Sequence, residues 1–199
     1  MAVWLVVGLG NPGPTYASHR HNVGAMVVAE LASRGRTALS THRLMRADVA
    51  EVKIGPGGTG AVGADLHQVI LMRTRTYMNE SGGPAAKVMG HYKVNPANLV
   101  VVHDELDIDF GQLRTKFGGG DNGHNGLKSI RKSIGTGDFY RVRVGIGRPP
   151  GRQDPADFVL SDFPKTMAED LAIEVQRAAD AVECLVTQGL DATQQRYNS

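Results

Sequence analysis

The spacing of apolar residues changes along the chain, and each spacing predicts one type of secondary structure. Continuous apolar runs at 3–7 and 99–103 are typical of strands buried on both faces. Apolar residues three and four positions apart, such as Val23, Met26 and Val27, predict helices. The predicted strands cover 3–7, 47–54, 68–72, 99–103, 112–117 and 141–146. The predicted helices cover about 22–34, 84–92, 126–134 and 164–188.

Strands and helices interleave from end to end, and no segment has the composition of a linker. This order predicts the α/β class, with a single domain over 1–199 in which a mixed β-sheet is flanked by helices on both faces. We expect Asn22 or Ser18 to cap the first helix and Gly35 to end it. Gly189 is expected to stop the last helix.

Glycine is the residue whose count departs from average usage. The chain contains 25 glycines, whereas an average usage of about 7% gives roughly 14. They follow no fixed period and proline contributes only 9 residues, which excludes collagen and low-complexity disorder. We therefore expect positive φ angles or close backbone approaches at several points. Five glycines lie at 55–63, which is predicted to be a loose hairpin connection.

The rest of the composition is ordinary, with 41% apolar and 21% charged residues. No apolar run approaches the ~20 residues of a membrane span. The first ten residues, MAVWLVVGLG, lack the charged start of a signal peptide. Cys184 is the single cysteine, which excludes an intramolecular disulfide and a zinc cluster of thiolates. A cytoplasmic protein with no membrane partner is expected.

The net charge of +2 hides an uneven distribution. Segment 110–153 has nine Lys/Arg and two Asp/Glu, which gives it a charge of +7. Segment 154–199, which includes the acidic helical segment 164–198, has three Lys/Arg and nine Asp/Glu, which gives −6. The basic segment is either a face that binds a polyanion or a solvated surface balanced by the acidic C-terminal helix.

The loop after the first predicted strand, GLGNPG at 8–13, fits the dinucleotide-binding pattern G-x-G-x-x-G. Pro12 and Pro14 each remove an N–H group where that site needs donors. The acidic residue expected about 20 positions later is also misplaced, since Glu30 lies inside a predicted helix. We interpret the loop as a tight turn that places the amide of Asn11 at the end of the strand.

Three further polar clusters lie at predicted strand or helix ends. His19 to Asn22 begin the first helix, where the positive end of the helix dipole favours a neutral imidazole. The run HDELD at 103–107 places carboxylates at the end of a buried strand, where one can orient a histidine. The glycine-rich loop at 118–126 carries His124 and Asn125. Taken singly, these are most simply a capping group, solvated acids and a flexible loop.

The chain offers no obvious covalent nucleophile. No serine lies in a G-x-S-x-G elbow, and Cys184 lies in a predicted helix away from these loops. A neutral histidine backed by a carboxylate and surrounded by amides is suited to activating water for attack on a carbonyl.

Five stretches carry a family resemblance. They are VGLGNPGPTYASHRHNVG (7–24), TYMNESGG (76–83), VVHDELD (101–107), FGGGDNGHNGLKSI (117–130) and FYRVRVGIGRP (139–149). In this order and spacing they resemble the bacterial peptidyl-tRNA hydrolase family, over essentially the whole chain. Tyr77 and the run RTRTYMN are similar to the actinobacterial branch.

The resemblance implies hydrolysis of the ester that joins a peptide to the 3′ ribose of tRNA, with no metal or cofactor. It implies that His21 is the catalytic histidine, that Asp104 supports it, and that Asn11 helps to recognise a blocked α-nitrogen. The other residues that it implies at the substrate and tRNA sites are Tyr16, Tyr77, Met78, Asn79, His124, Asn125, Arg114, Lys116 and Arg143. The partner implied is peptidyl-tRNA, and we expect a monomer.

Three alternatives follow from the residues alone. His19, His21, Asp104 and His124 are the ligand types of a metallohydrolase, although side chains two positions apart at a helix start diverge. The basic segment alone fits an RNA-binding module without catalysis. The GLGNPG loop leaves a dinucleotide enzyme as the third alternative.

Overall fold

The computed structural model describes residues 2–198 and contains an eight-stranded mixed β-sheet. The strands are β1 (Trp4–Gly8), β2 (Ser40–His42), β3 (Ala47–Gly55), β4 (Gly58–Thr59), β5 (His67–Thr74), β6 (Leu99–Glu105), β7 (Leu113–Phe117) and β8 (Tyr140–Gly145). Their order in the sheet is β2-β3-β5-β1-β6-β8-β7, and β4 pairs with β3. The central strands β5, β1, β6 and β8 are parallel, whereas β3 and β7 run antiparallel to their neighbours.

Helices cover both faces of the sheet. They are α1 (Val23–Arg34), α2 (Gly82–Tyr92), α3 (Asn125–Ile134), α4 (Pro155–Val159), α5 (Ala168–Gln188) and α6 (Leu190–Tyr197). Helices α1 and α5 pack on one face and α2 and α3 on the other, and each pair contributes to its own apolar core. The predicted fold class is therefore confirmed. In residues 2–198, no helix combines the length and apolarity needed to cross a membrane.

The apolar runs correctly predicted the two central strands. Every residue of β6 is buried, as expected for a strand covered by helices on both faces. The elements that were missed are short: β2 has three exposed residues, and α4 has five residues of which only Phe158 is buried. Segments this short and this exposed show no apolar period, so the sequence pattern does not reveal them.

Two helix boundaries differ from the prediction. The last long helix begins at Ala168, after a single 3₁₀ turn at Lys165–Met167, and α6 continues the chain beyond Gly189. Helix α1 begins directly after Asn22, but neither proposed cap provides a side-chain hydrogen bond to it. A 3₁₀ turn at Arg20–Asn22 precedes the helix instead, and the Asn22 side chain bonds to another loop.

Close packing of α1 against the sheet places this turn beside the end of β6. A methyl group at Gly24 would overlap the carbonyl group of Val102 in β6, and one at Gly8 would overlap the backbone of Gly24. Only glycine permits this approach. It brings the 3₁₀ turn that carries His21 next to Asp104 at the carboxyl end of β6.

Candidate active site

A cavity of about 450 Å³ opens at the carboxyl ends of β1 and β6, where ligands bind in open α/β sheets. Nine of the predicted site residues line it: Asn11, Tyr16, His21, Tyr77, Met78, Asn79, Asp104, His124 and Asn125. They come from four separate segments of the chain, so only the folded chain brings them together.

His21 is held by the carboxylate of Asp104. Its Nδ1 lies 2.8 Å from Oδ2 and 3.0 Å from Oδ1 of Asp104. A carboxylate only accepts hydrogen bonds, so Nδ1 carries the proton and donates it. In the neutral ring the lone pair is then on Nε2, which makes that nitrogen the basic one in the pocket.

His124 approaches the same carboxylate from the glycine-rich loop. Its Nε2 lies 2.8 Å from Oδ1 of Asp104. Its Nδ1 accepts hydrogen bonds from the backbone N–H groups of Gly126 at 3.1 Å and Leu127 at 3.4 Å, and so caps helix α3. Because Nδ1 accepts, the proton of the neutral ring is on Nε2 and is donated to Asp104.

Asp104 is ionised although it is only 3% exposed. Burial alone would raise the pKa of its carboxyl group, but the pKa lies well below its usual range. The charges and hydrogen bonds of His21 and His124 cause this lowering, because they stabilise the carboxylate. The pair of imidazoles therefore keeps a negative charge beneath His21.

A third imidazole, His103, lies behind His124. The two rings meet edge to face with their centroids 5.1 Å apart. Nδ1 of His103 donates to the backbone carbonyl of Asp104 at 2.8 Å, and its Nε2 is buried with no hydrogen-bond partner among the described residues. Burial, with a smaller contribution from the charge of His124, lowers the pKa of His103 to about 3. His103 is therefore neutral at the pH at which the protein works.

Asn11 is held by hydrogen bonds to the side chain of Asn22 and to the backbone of Met78. Its N–H donates to Oδ1 of Asn22 at 3.0 Å, and its carbonyl accepts from Nδ2 of Asn22 at 2.9 Å. Its own Oδ1 accepts the backbone N–H of Met78 at 2.7 Å. This leaves Nδ2 of Asn11 as the donor that the pocket offers. Asn22, predicted as a helix cap, instead holds the loop that carries Asn11.

The remaining predicted residues form the rim of the pocket. Tyr16 and Tyr77 meet edge to face at 6.0 Å between ring centroids. Tyr77 is 55% exposed, and Asn79 and Asn125 are also exposed. Their amides and rings are therefore available to a ligand that enters the cavity.

Three cations predicted to meet tRNA lie outside the pocket, on one face of β7 and β8. Arg114 is directly opposite Arg143 in the antiparallel pair, and Lys116 is two residues further along β7. Burial and then the charge of Arg143 lower the pKa of Lys116, and burial and the charge of Arg114 lower that of Arg143. Glu105, which also lines the pocket, opposes both shifts. We call these three residues the cationic cluster.

One member of the basic segment does not belong to any binding face. Arg141 is fully buried. Its guanidinium donates to the backbone carbonyls of Gly119 at 3.0 Å, Gly137 at 3.1 Å and Gly120, and it lies 4.5 Å above the ring of Phe139. Arg141 therefore fixes the glycine-rich loop, and charge counting was wrong to include it in a surface patch.

The family sequence model described as Peptidyl-tRNA hydrolase matches residues 5–199. This chain belongs to the peptidyl-tRNA hydrolase family. The peptidyl-tRNA hydrolase of Cutibacterium acnes is 55% identical over 98% of this chain and 98% of its own. That of Streptomyces coelicolor is 56% identical over 100% of this chain and 96% of its own.

The fold comparison agrees with the sequence comparison. The crystal structure of peptidyl-tRNA hydrolase from Acinetobacter baumannii matches with a TM-score of 0.83 and 32% sequence identity. The match covers 98% of this chain and 96% of that one. The predicted family is confirmed, and its actinobacterial branch agrees with the two relatives above.

His21, Asp104 and His124 are residue types that can bind a metal ion. Candidate ligand atoms of His21, Asp104 and His124 lie within 4.8 Å of one another. The nitrogen of His124 that faces Asp104 carries a proton, because the other nitrogen caps α3. A protonated nitrogen has no lone pair for a metal. His19, the fourth proposed ligand, lies against Asp162 at 3.8 Å and is not part of this group.

Sequence reasoning missed several residues that shape the peptidyl-tRNA hydrolase pocket. Pro155, Ala156, Val159 and Leu160 form an apolar wall along and after α4. On the opposite rim, Nδ2 of Asn122 donates to Oε2 of Glu105 at 2.8 Å and to Oδ2 of Asp107 at 2.6 Å. Asn122 has φ = 47°, a positive value that asparagine tolerates better than most residues. No local period signals these residues, because each acts on a distant loop.

Proposed function

We propose that this chain hydrolyses the ester bond between an N-blocked peptide and the 3′ ribose of tRNA. The observation that carries the proposal is the arrangement around Asp104, which accepts hydrogen bonds from His21 and His124 and leaves the Nε2 lone pair of His21 at the pocket. Membership of the peptidyl-tRNA hydrolase family supports the choice of substrate.

The proposed reaction uses water as the nucleophile. Nε2 of His21 takes a proton from water while the water oxygen attacks the ester carbonyl. Asp104 stabilises the imidazolium that forms, since its carboxylate is already hydrogen-bonded to Nδ1. Collapse of the tetrahedral intermediate breaks the bond to the ribose 3′ oxygen, which takes the proton from Nε2. General-base catalysis of this kind contributes roughly 10²–10⁴-fold.

The proposed reaction needs no metal. A zinc ion on this group would need a lone pair from both imidazoles, and His124 has none on the nitrogen that faces Asp104. Giving it one would cost the two hydrogen bonds that cap α3. An ester also has a better leaving group than an amide, so activated water suffices.

Recognition of a blocked α-nitrogen is assigned to the pocket amides. Nδ2 of Asn11 offers a donor that a peptide carbonyl can accept. The exposed amides of Asn79 and Asn125 offer further donors and acceptors. A free α-ammonium group carries only donors, so it would leave part of this set unmatched.

The cationic cluster is assigned to the phosphates of the tRNA. Burial and then the charge of Arg143 lower the pKa of Lys116, so a bound anion would relieve an existing repulsion between the two cations. Glu105 links the cluster to the pocket, because it acts on both cations and lines the cavity. The ester would then lie in the pocket while the nucleic acid lies along β7 and β8.

All of these residues come from one chain, so the proposed reaction requires only a monomer. Because the proposed substrate is a product of translation, we infer that the activity is cytoplasmic.

The test is hydrolysis of N-acetyl-aminoacyl-tRNA compared with its free-amine form. Wild type is expected to release tRNA from the blocked substrate only. His21→Ala should lower kcat by at least about 100-fold and retain tRNA binding, because the lost group acts in the chemical step. His67→Ala, at the amino end of β5, is the matched control and should keep the wild-type rate.

Three results would contradict the proposal or its metal-free step. Near-wild-type turnover by His21→Ala would show that another group is the base. Prolonged incubation that leaves the blocked ester intact would favour an RNA-binding module instead. Loss of activity on treatment with a chelator, restored by zinc, would contradict the metal-free step.

A further inference from the structure

Arg20, the residue directly before the proposed base, is buried although it is an arginine. It is 9% exposed, and its guanidinium carbon lies 4.1 Å from the ring centroid of Phe158 and 5.4 Å from that of Phe163. Both rings belong to the segment that follows and includes α4. A flat cation held against two aromatic faces is a stabilising arrangement that depends on the shape of arginine.

The same guanidinium holds the backbone of that segment. Nη1 of Arg20 donates to Oγ of Ser161 at 2.7 Å, to the carbonyl of Asp162 at 2.8 Å and to the carbonyl of Ser161 at 3.4 Å. Oγ of Ser161 in turn donates to the carbonyl of Phe158 at 2.5 Å. One nitrogen of Arg20 thus donates hydrogen bonds to the turn that follows α4.

Main-chain pairing joins the same two segments. The N–H of Arg20 donates to the carbonyl of Ser161 at 3.0 Å, and His19 forms an isolated antiparallel bridge with Asp162. The turn that carries His21 and the segment at 158–163 are therefore joined by main-chain as well as side-chain hydrogen bonds.

This segment supplies Val159 and Leu160, which form part of the apolar wall of the pocket. Val159 and Leu160 line the cavity between Phe158, under the guanidinium, and Ser161, bonded to it. Leu160 is still 44% exposed, so its own side-chain contacts hold it weakly, whereas Val159 also packs against the apolar core. Arg20 contacts the residue on each side of these two: it stacks on Phe158 and donates a hydrogen bond to Ser161.

We propose that Arg20 is a positioning residue for the substrate: it holds the wall formed by Val159 and Leu160 at a fixed distance from His21, so that the acyl part of the substrate fits between them. This inference rests on the proposed hydrolysis and assigns a role within it. Arg20 does not touch the reacting atoms, and it acts through the wall and the 3₁₀ turn.

The proposal predicts an effect on KM rather than on kcat. Arg20→Lys keeps the charge but loses the planar stacking and the shared donor geometry. We expect KM for N-acetyl-aminoacyl-tRNA to rise about tenfold, with kcat within about twofold and the midpoint of its pH profile unchanged, as for a loss of uniform binding. Arg20→Met, which also removes the charge, should raise KM at least as far.

The control is Arg177, a partly exposed arginine of α5 that likewise bonds a backbone carbonyl, that of Gly111, at 2.9 Å. Arg177→Lys should leave KM unchanged. If the Arg20 variants do not fold by circular dichroism, Ser161→Ala carries the same test, because it removes the hydroxyl that connects Arg20 to Phe158. It should raise KM about threefold with kcat retained, a loss of the size of one hydrogen bond.

Unchanged KM in Arg20→Lys or, where needed, in Ser161→Ala would overturn the proposal. A fall in kcat at unchanged KM would also overturn it, because Arg20 would then act on His21 and not on the wall. The wild-type enzyme in the same assay distinguishes a failure of the proposed function from a failure of the proposed role of Arg20. If wild type does not hydrolyse the blocked substrate, the proposed function fails; if it does and KM does not respond, only the role of Arg20 fails.

Discussion

The pocket and the cationic cluster differ in how far their charged groups are paired. In the pocket, Asp104 is nearly fully buried and receives hydrogen bonds from two imidazoles. On β7 and β8, Lys116 and Arg143 are partly exposed. Burial and the charge of Arg143 lower the pKa of Lys116, burial and the charge of Arg114 lower the pKa of Arg143, and Glu105 opposes both shifts. One region is internally satisfied, and the other keeps an excess of one sign.

This difference separates the two jobs that the proposed substrate requires. Groups that satisfy one another in a buried pocket hold defined tautomers, which suits proton transfer, and salt screens them weakly. Exposed cations in excess attract phosphates and release counterions, so their effect depends on salt. We therefore expect variants in the pocket to change kcat and the response to pH, and variants in the cluster to change binding and the response to salt.

The largest expected effect comes from Asp104→Asn. An amide presents an N–H group to one of the imidazoles, which forces the proton of His21 onto Nε2 or breaks its hydrogen bond. We expect kcat to fall by about 10³–10⁴-fold, as when a histidine base is held in the wrong tautomer. Single-turnover hydrolysis of N-acetyl-aminoacyl-tRNA measures it.

Asp48 offers a matched control for that variant. It is 5% exposed, and bonds from Arg73, Thr41 and Arg75 overcome burial and lower its pKa, but it lies on β3 outside the pocket. Asp48→Asn should keep kcat within about twofold. An Asp104→Asn enzyme that hydrolyses as fast as Asp48→Asn would mean that the carboxylate does not set the state of His21.

A smaller effect is expected from Lys116→Ala. Removal of one phosphate contact should weaken tRNA binding and reduce the slope of log K against log salt by about 0.7–0.9. The rate at saturating substrate should stay at the wild-type value. Filter binding over a series of salt concentrations measures the slope.

Lys53 on β3 is the control for the cluster, since it is an exposed lysine near the opposite edge of the sheet. Lys53→Ala should leave the salt slope unchanged. Equal slopes for Lys116→Ala and wild type would remove Lys116 from the nucleic-acid face. A change in kcat alone would erase the division between the two regions.

An effect on stability rather than on activity is expected from His103→Gln. The pKa of His103 is about 3 in the folded chain, against 6.5 for the unperturbed group. Unfolding between these values takes up a proton, so the contribution is complete above about pH 6.5 and is lost as pH falls towards 3. Wild type should lose up to about 1.4 kcal/mol per pH unit more steeply than the variant in that window.

Urea unfolding at several pH values provides the measurement. His91→Gln, on the exposed end of α2, should keep the wild-type slope. If His103→Gln and wild type lose stability in parallel between pH 4 and 6.5, His103 is not neutral in the folded chain. The folded chain would then carry a charge behind His124.

Much of the pocket could be predicted because its residues lie at the ends of elements with clear patterns. The apolar runs located β1 and β6; Asn11 lies in the loop after β1, and Asp104 lies at the carboxyl end of β6. Parallel strands end at the same edge of a sheet, so these side chains were bound to lie near each other. The family resemblance then singled out His21 among seven histidines.

Other residues were misread because their partners are distant in the chain. Asn22 has the residue type and position of a helix cap, but its amide pairs with the backbone of Asn11, eleven residues away. Arg141 counts as a surface charge until its three carbonyl partners are known. The hairpin at 55–63 had no evident purpose, yet Glu183 of α5 accepts both the N–H and the hydroxyl of Thr59 at 2.7 and 2.6 Å.

The sequence by itself determined the α/β class, the central strands and the set of polar residues available for chemistry, because period and residue type are local properties. Tertiary structure decided which nitrogen of each imidazole holds the proton, which arginine is buried and which wall faces His21. Those outcomes depend on hydrogen bonds between segments far apart in the chain, such as Arg20 and Ser161, 141 residues apart. The energy of such a bond exists only once the glycines have let α1 close onto the sheet.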